Sequence, residues 1–181
     1  MQGAFLAPSG PEVVIQRGDV LHVDFGLSAL GLSTDWQRMA YVLRAGEREV
    51  PRGLQRALAN TNALQDALVE VSRPGRTNAE VYEAVMARME ARGIQAQVYA
   101  HPLGNQGHAL GAAIDFRSAK REEVPRPLRA GAYAAIELNT RAPVPEWNNQ
   151  EVFVFAEDPA ELTDVGWRFF VPRQEEWYVI P

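Results

Sequence analysis

GDVLHVDFGLSALGLSTDWQRMAY, residues 18–41, carries two acids, Asp24 and Asp35, eleven positions apart in a segment otherwise built to fold inward. Val20, Leu21, Val23 and Phe25 form a β-branched and apolar run, Gly26, Gly31 and Ser33 punctuate a turn, and an apolar strand resumes over 39–43. The pattern predicts a β-hairpin with an acid on each arm. A carboxylate within a buried strand costs several kcal/mol unless a partner compensates it. No Lys or Arg adjoins Asp24, so the compensating cation must come from elsewhere, and a metal ion is one candidate. The blander alternative is that both acids end strands and face water.

The rest of the chain narrows the choices. Its 181 residues suit one well-packed α/β domain, residues 1–181, better than two. A hydrophobic share of 46% with 23% charged residues fits a soluble globular protein, and no apolar run reaches the roughly 18 residues of a membrane span. A net charge of -5 without a basic cluster argues against nucleic acid as a partner. With no cysteine there is no disulfide or thiolate chemistry, so a metal would be held by His and carboxylates, which suit Mn, Zn, Co or Fe. The start, MQGAFLAPSG, lacks the charged opening and apolar core of a secretory signal, and a cytoplasmic protein is expected.

Beyond the hairpin, Leu54, Ala57, Leu58, Leu64, Leu68 and Val71 recur at helical spacing from Pro51 onward. Pro74 and Gly75 end that helix, and Thr77 with Glu80 forms a capping-box pattern for a second one with Val81, Val85, Met86 and Met89 on its apolar face. Residues 94–100 read as a strand feeding a loop, HPLGNQGHALG, dense in glycine and bearing His101 and His108. Residues 116–129, charged and broken by Pro125 and Pro127, read as an exposed connection without chemistry. GAYAAIEL, residues 131–138, is a buried-looking strand ending in Glu137; after a Pro-rich turn, residues 151–156 form another that leads into Glu157 and Asp158. Two acid-bearing hairpins suggest pseudo-symmetric halves facing each other across a shared site.

The run D-F-G, seven residues, then T-D-W-Q-R, with GHALG and AAIELN further on, resembles the metal signature of the M24 metallopeptidases, the pita-bread group that includes methionine aminopeptidase, aminopeptidase P and prolidase. The resemblance implies an α/β (α+β) pita-bread fold: a curved, mostly antiparallel sheet backed by helices near residues 52–70 and 78–92, truncated at its N-terminal side. It implies two divalent metal ions, Mn foremost with Zn and Co as alternatives, on Asp24, Asp35, His108, Glu137 and Glu157. Asp35 and Glu157 would bridge both ions, Asp24 would hold one, and His108 with Glu137 the other. Four carboxylates roughly neutralise two such ions, which in turn acidify a shared water. Glu137 would handle that water's proton. His101, at a longer spacing from His108 than the family's H-G-x-x-H form, would stand near the substrate or serve packing alone. Glu151 lies six residues before Glu157, so strand alternation cannot choose between them; the phasing of the family's run after the last Glu selects Glu157, with Glu151 in reserve.

The same resemblance predicts short Xaa-Pro peptides as substrates, as for Xaa-Pro dipeptidase or aminopeptidase P. Departures bear on activity: only 23 residues precede Asp24, Ala7 stands where relatives carry a substrate-contacting His, the place of a further His falls near Asp115, and Phe155 replaces an Arg. A catalytically weak or silent pita-bread domain acting as a binding module is therefore the competing reading. A creatinase-like hydrolase needing no metal is disfavoured by the five ligands. Trp147, Arg173, Trp177 and Tyr178 are expected to pack the C-terminal strands and an oligomer contact, since large aromatics with a polar handle suit half-buried surfaces. Self-association is the expectation: sedimentation at micromolar concentration should show a species larger than the 20.1 kDa chain, and a clean monomer would count against it.

Overall fold

The computed structural model describes residues 10–104, 107–119 and 124–181. The hairpin read from residues 18–41 forms: β1 (Val20–Phe25) pairs antiparallel with β4 (Trp36–Val42), and a small ribbon of β2 (Ser28–Ala29) and β3 (Leu32–Ser33) fills the turn. Gly26 is required at its base, because a Cβ there would collide with the carbonyl of Thr34 on the returning chain. Two helices follow, α1 (Arg52–Val71) and α2 (Asn78–Ala91), the second opened by the Thr77 and Glu80 capping box. Then come β5 (Gln95–Pro102), β6 (Ile114–Asp115), the short α3 (Phe116–Ala119), β7 (Tyr133–Val144), a single 3-10 turn at Pro145–Trp147, β8 (Gln150–Thr163), β9 (Gly166–Phe169) and β10 (Tyr178–Ile180).

The main sheet runs β1-β4-β8-β7-β5-β6, with β9 on β8 and β10 parallel to β4. The two acid-bearing hairpins are thus not halves facing each other. They lie side by side, joined where Gln37 of β4 meets Glu157 of β8. Among the described residues no helix is long and apolar enough to cross a membrane.

Alternation along the paired strands separates chemistry from core. On β7, Ile136, Leu138, Ala142 and Val144 pack into the apolar core, while Glu137 and Asn139 take the other face. The core has two parts. One gathers Leu64, Leu68, Val81, Val85, Ile136, Leu138 and Leu162 between the helices and the sheet; the other gathers Leu54, Leu58, Tyr41, Val144, Val152 and Trp177. Each fully buried Leu contributes roughly 1.5–3 kcal/mol. Between them along α1, Thr61 shares a 2.7 Å hydrogen bond with Thr140 and donates to the Val154 carbonyl, so its hydroxyl is buried at little cost.

Strand lengths exceed the expectation. Glu137 and Glu157 sit in mid-strand rather than at strand ends, because the prolines on either side break no needed hydrogen bond. Pro143 lies beyond the last pairing of β5 with β7, at Arg141. Pro159 falls at the seam where β8 passes from β4 to β9, and its carbonyl still accepts from Phe170. His101 likewise belongs to β5 and not to the loop after it. The described residues of the 116–129 connection are more structured than its charge suggested, since 116–119 form α3 and Leu128 is buried. β1 is also less buried than its apolar composition predicted: it is an edge strand, Val23 and Phe25 are exposed, and so is Asp24. Ala7, with the rest of residues 1–9, lies outside the described residues.

The C-terminal segment is tied back by polar contacts. Gln174 accepts from the Met39 amide and donates to the Met39 carbonyl, Trp177 donates to the Leu54 carbonyl, and Arg173 reaches Asp66 at 2.6 Å. Tyr178 lies exposed on β10, and Trp147 stacks near Tyr41 with Arg44 over its ring.

Opposite the Glu157 face, Asp158 is buried and held by Arg38 at 2.7 Å and by Gln65 at 3.1 Å. Arg38 also donates to the Glu157 carbonyl, clamping β4 to β8 at their one point of pairing. Removing one partner of a buried ion pair strands the other, so Arg38→Met is expected to lower unfolding free energy by about 3–5 kcal/mol in urea titrations. A change of a few tenths would mean that Asp158 finds another donor.

Candidate metal centre

Six side chains converge on the face away from the helices. Glu137 and Glu157 are register partners on β7 and β8. Asp24 comes from β1, opposite Gln37, and Asp35 from the residue just before β4. His101 comes from the end of β5 and His108 from the loop beyond it. Three overlapping groups each bring their ligand atoms within 4.8 Å of one another: Asp24 with Asp35 and Glu157; His101 with Glu137 and Glu157; Asp35 with His101 and His108. Asp35, His101 and Glu157 each belong to two groups.

His101 takes a more central place than its sequence setting suggested. Its Nε2 lies 3.3 Å from Glu157 Oε1, 3.5 Å from Glu137 Oε2 and 3.9 Å from Asp35 Oδ2. Nδ1 faces the Pro102 carbonyl at 3.3 Å, an oxygen that can only accept. A neutral His101 with its hydrogen there aims a lone pair at three carboxylate oxygens, an arrangement that needs a proton or a cation between them. His108 is exposed and stacks on His101, ring centroids 3.9 Å apart, and it falls in one group with Asp35 and His101. Glu151 is exposed at the far end of β8, 3.6 Å from Arg141.

The electrostatics favour positive charge at the cluster. Burial, and then the charge of Glu157, push the Glu137 carboxyl up to about 8. Burial also raises Glu157, and burial with the neighbouring Asp24 raises Asp35. For His101, burial opposes protonation, but the hydrogen bond to Glu157 and the Pro102 carbonyl outweigh it and the net shift is upward. His108 moves down, through burial and then the charge of His101. Clustered oxygen donors and imidazoles, with Glu157 buried among them, are the donor set a divalent ion takes. The residues present fit such an ion.

Two further residues shape the site and escaped the sequence reading. Gln37 donates from Nε2 to Glu137 Oε1 at 2.6 Å and to Glu157 Oε2 at 2.8 Å, and His22 contacts Gln37 Oε1 at 2.9 Å. Each stands two residues from an acid, His22 before Asp24 and Gln37 after Asp35, so the period of two along a strand was the available signal. Beside the cluster a cleft of about 290 Å³ opens among Tyr99, Phe116, Asn139, Phe153 and Phe155. A larger hollow of about 610 Å³ is lined by apolar residues such as Leu103, Leu110, Leu128 and Trp167 and by Arg126 and Arg129, with no His or carboxylate among its described lining residues.

The family model for metallopeptidase family M24 matches residues 3–168. Similar solved structures include an X-Pro aminopeptidase from Thermotoga maritima, with 17% identity, a TM-score of 0.75, and coverage of 97% of this chain and 45% of that one. An Xaa-Pro dipeptidase from Bacillus anthracis has 20% identity and a TM-score of 0.70, covering 93% of this chain and 43% of that one. The N-terminal domain of the FACT complex subunit SPT16 from Eremothecium gossypii has 12% identity and a TM-score of 0.74, covering 98% and 40%. At such identities the likeness shows the fold, and this chain spans less than half the length of each of these three. No curated protein matches the sequence.

Without a cation, the centre should favour mild acid. Glu137 binds its proton more tightly folded than unfolded, so the stability tied to the protonated form is whole below its ordinary 4.5 and is lost as pH rises through about 8. The upward shift of His101 acts in the same direction. Urea midpoints measured with chelator are expected to fall across that window, and Glu137→Gln to flatten the fall. Midpoints that climb instead would contradict the assigned electrostatics.

Proposed function

The chain belongs to the metallopeptidase family M24, and on that premise we propose that it is a metal-dependent peptidase hydrolysing short Xaa-Pro peptides. The observation that carries this reading is the convergence of four carboxylates and two imidazoles, with no lysine or arginine side chain among the described residues paired to those carboxylates. Asp24, Asp35, His108, Glu137 and Glu157, joined by His101, would hold two divalent cations, manganese foremost. Bound there, such cations would supply an acidified water and polarise the scissile carbonyl.

This chain's own residues do the rest. Glu137, at the cluster and lining the cleft beside it, is suited to take the proton of the attacking water and return it to the leaving amine. The cleft beside it offers apolar walls in Phe116, Phe153 and Phe155 and polar groups in Tyr99 and Asn139, where a small peptide could lie next to the cluster. The Xaa-Pro preference rests on likeness to the dipeptidase and the aminopeptidase, and the SPT16 domain of similar fold keeps a binding module as the rival. The retained donor set favours the peptidase.

Elemental analysis of the purified chain, paired with Xaa-Pro dipeptide hydrolysis under added Mn²⁺, tests the proposal. Metal should be present, chelation should lower the melting temperature, and Asp35→Ala or Glu157→Ala should abolish hydrolysis and at least one bound ion. Glu151→Ala should do neither. Protein without metal, melting equally with and without chelator, would favour the binding module.

A further inference from the structure

Gln37 enters the cluster from β4 with both amide hydrogens committed to the two glutamates. Its Nε2 donates to Glu137 Oε1 at 2.6 Å and to Glu157 Oε2 at 2.8 Å, and the residue is 2% exposed. A side-chain amide can turn over about its last bond, and the reversed form would set Oε1 against two carboxylates. His22 opposes that reversal. Its Nε2 lies 2.9 Å from Gln37 Oε1, and since a carbonyl oxygen only accepts, His22 must supply the hydrogen from Nε2. The His22 ring is in turn stacked on Phe155, centroids 4.4 Å apart at 25°.

We propose that Gln37, oriented by His22, is the positioning residue of the centre. It ties Glu137 and Glu157 together through one oxygen each. The other oxygens, Glu137 Oε2 and Glu157 Oε1, are the ones 3.5 and 3.3 Å from His101 Nε2, in the space a cation would fill. The neutrality of the amide is essential. A Lys or Arg in its place would neutralise the carboxylates and compete with the ion, and an acid would add to their repulsion; an amide aligns them without changing the charge. This inference rests on the reading that the cluster binds divalent cations.

Calorimetric titration of the chelator-stripped chain with Mn²⁺ tests it, using wild type, Gln37→Met, His22→Phe and the double variant. His22→Phe keeps an aromatic ring on Phe155 and removes only the donor, so it guards against a variant that fails to fold. Each single variant should weaken Mn²⁺ binding roughly 10- to 100-fold, and the double should be no worse than Gln37→Met, because His22 acts through Gln37. Nitrogen-detected NMR should find the His22 hydrogen on Nε2 in wild type, with that preference lost in Gln37→Met. Variants that melt lower in chelator but bind Mn²⁺ like wild type would show a packing role only and overturn the inference, as would additive losses in the double. A wild-type chain that takes up no Mn²⁺ removes the metal reading and this inference together, whereas wild-type uptake with unmoved variants removes this inference alone.

Discussion

Mutual repulsion among Asp24, Asp35, Glu137 and Glu157 is the constraint to which the rest of the structure answers. Burial and then neighbouring like charges raise the proton affinity of Asp35, Glu137 and Glu157, and the low dielectric around Glu157, 1% exposed, removes the water that would screen them. The protein meets this with one titratable imidazole, His101, and one neutral amide, Gln37. Neither balances four charges. The sheet holds the carboxylates in place regardless: Asp24, Glu137 and Glu157 are anchored by the backbone pairing of β1 with β4, β4 with β8 and β8 with β7, and Asp35 directly precedes β4.

That anchorage rests on the opposite face. Asp158 follows Glu157 directly, and alternation turns it toward the helices, where Arg38 and Gln65 bind it. Two adjacent acids thus meet opposite fates. One is neutralised by a fixed cation and serves the fold; the other is left wanting a cation and serves the site. The Arg38 guanidinium touches both arrangements, since it binds the Asp158 side chain and the Glu157 backbone together.

Much of this was legible in the sequence, for identifiable reasons. Helical periodicity fixed α1 and α2 to within a residue or two, and the Thr77 and Glu80 pair marked the start of α2. The acids stood out because an apolar strand rarely carries an unpaired carboxylate. The exposure of Asp24 was not legible, since an apolar run looks the same at a sheet's edge as at its centre. Nor were the full lengths of β7 and β8: the Pro-rich turn read as ending the first strand well before Val144, and only the pairing of neighbouring strands shows that the missing N–H groups of Pro143 and Pro159 face no partner. Gln37 and His22 went unnoticed because neither residue type signals a metal site by itself. Their meaning lies in what they touch.

Pro159 also limits how this site can be altered. A strand that slips by one residue exchanges its two faces, and on β8 the exchange would carry Asp158 to the cluster and Glu157 into the helix layer. Each acid would then meet the wrong surroundings: Asp158, one methylene shorter, among carboxylates, and Glu157 facing Arg38 and Gln65. The slip would also move the proline off the seam between β4 and β9 to a position where a ladder donor is needed. A proline that looks like an interruption therefore acts as a stop on the register. Insertions and deletions in β8 are barred more strictly than substitutions, whereas the turn at Pro145–Trp147 can change length without disturbing which acid faces which side.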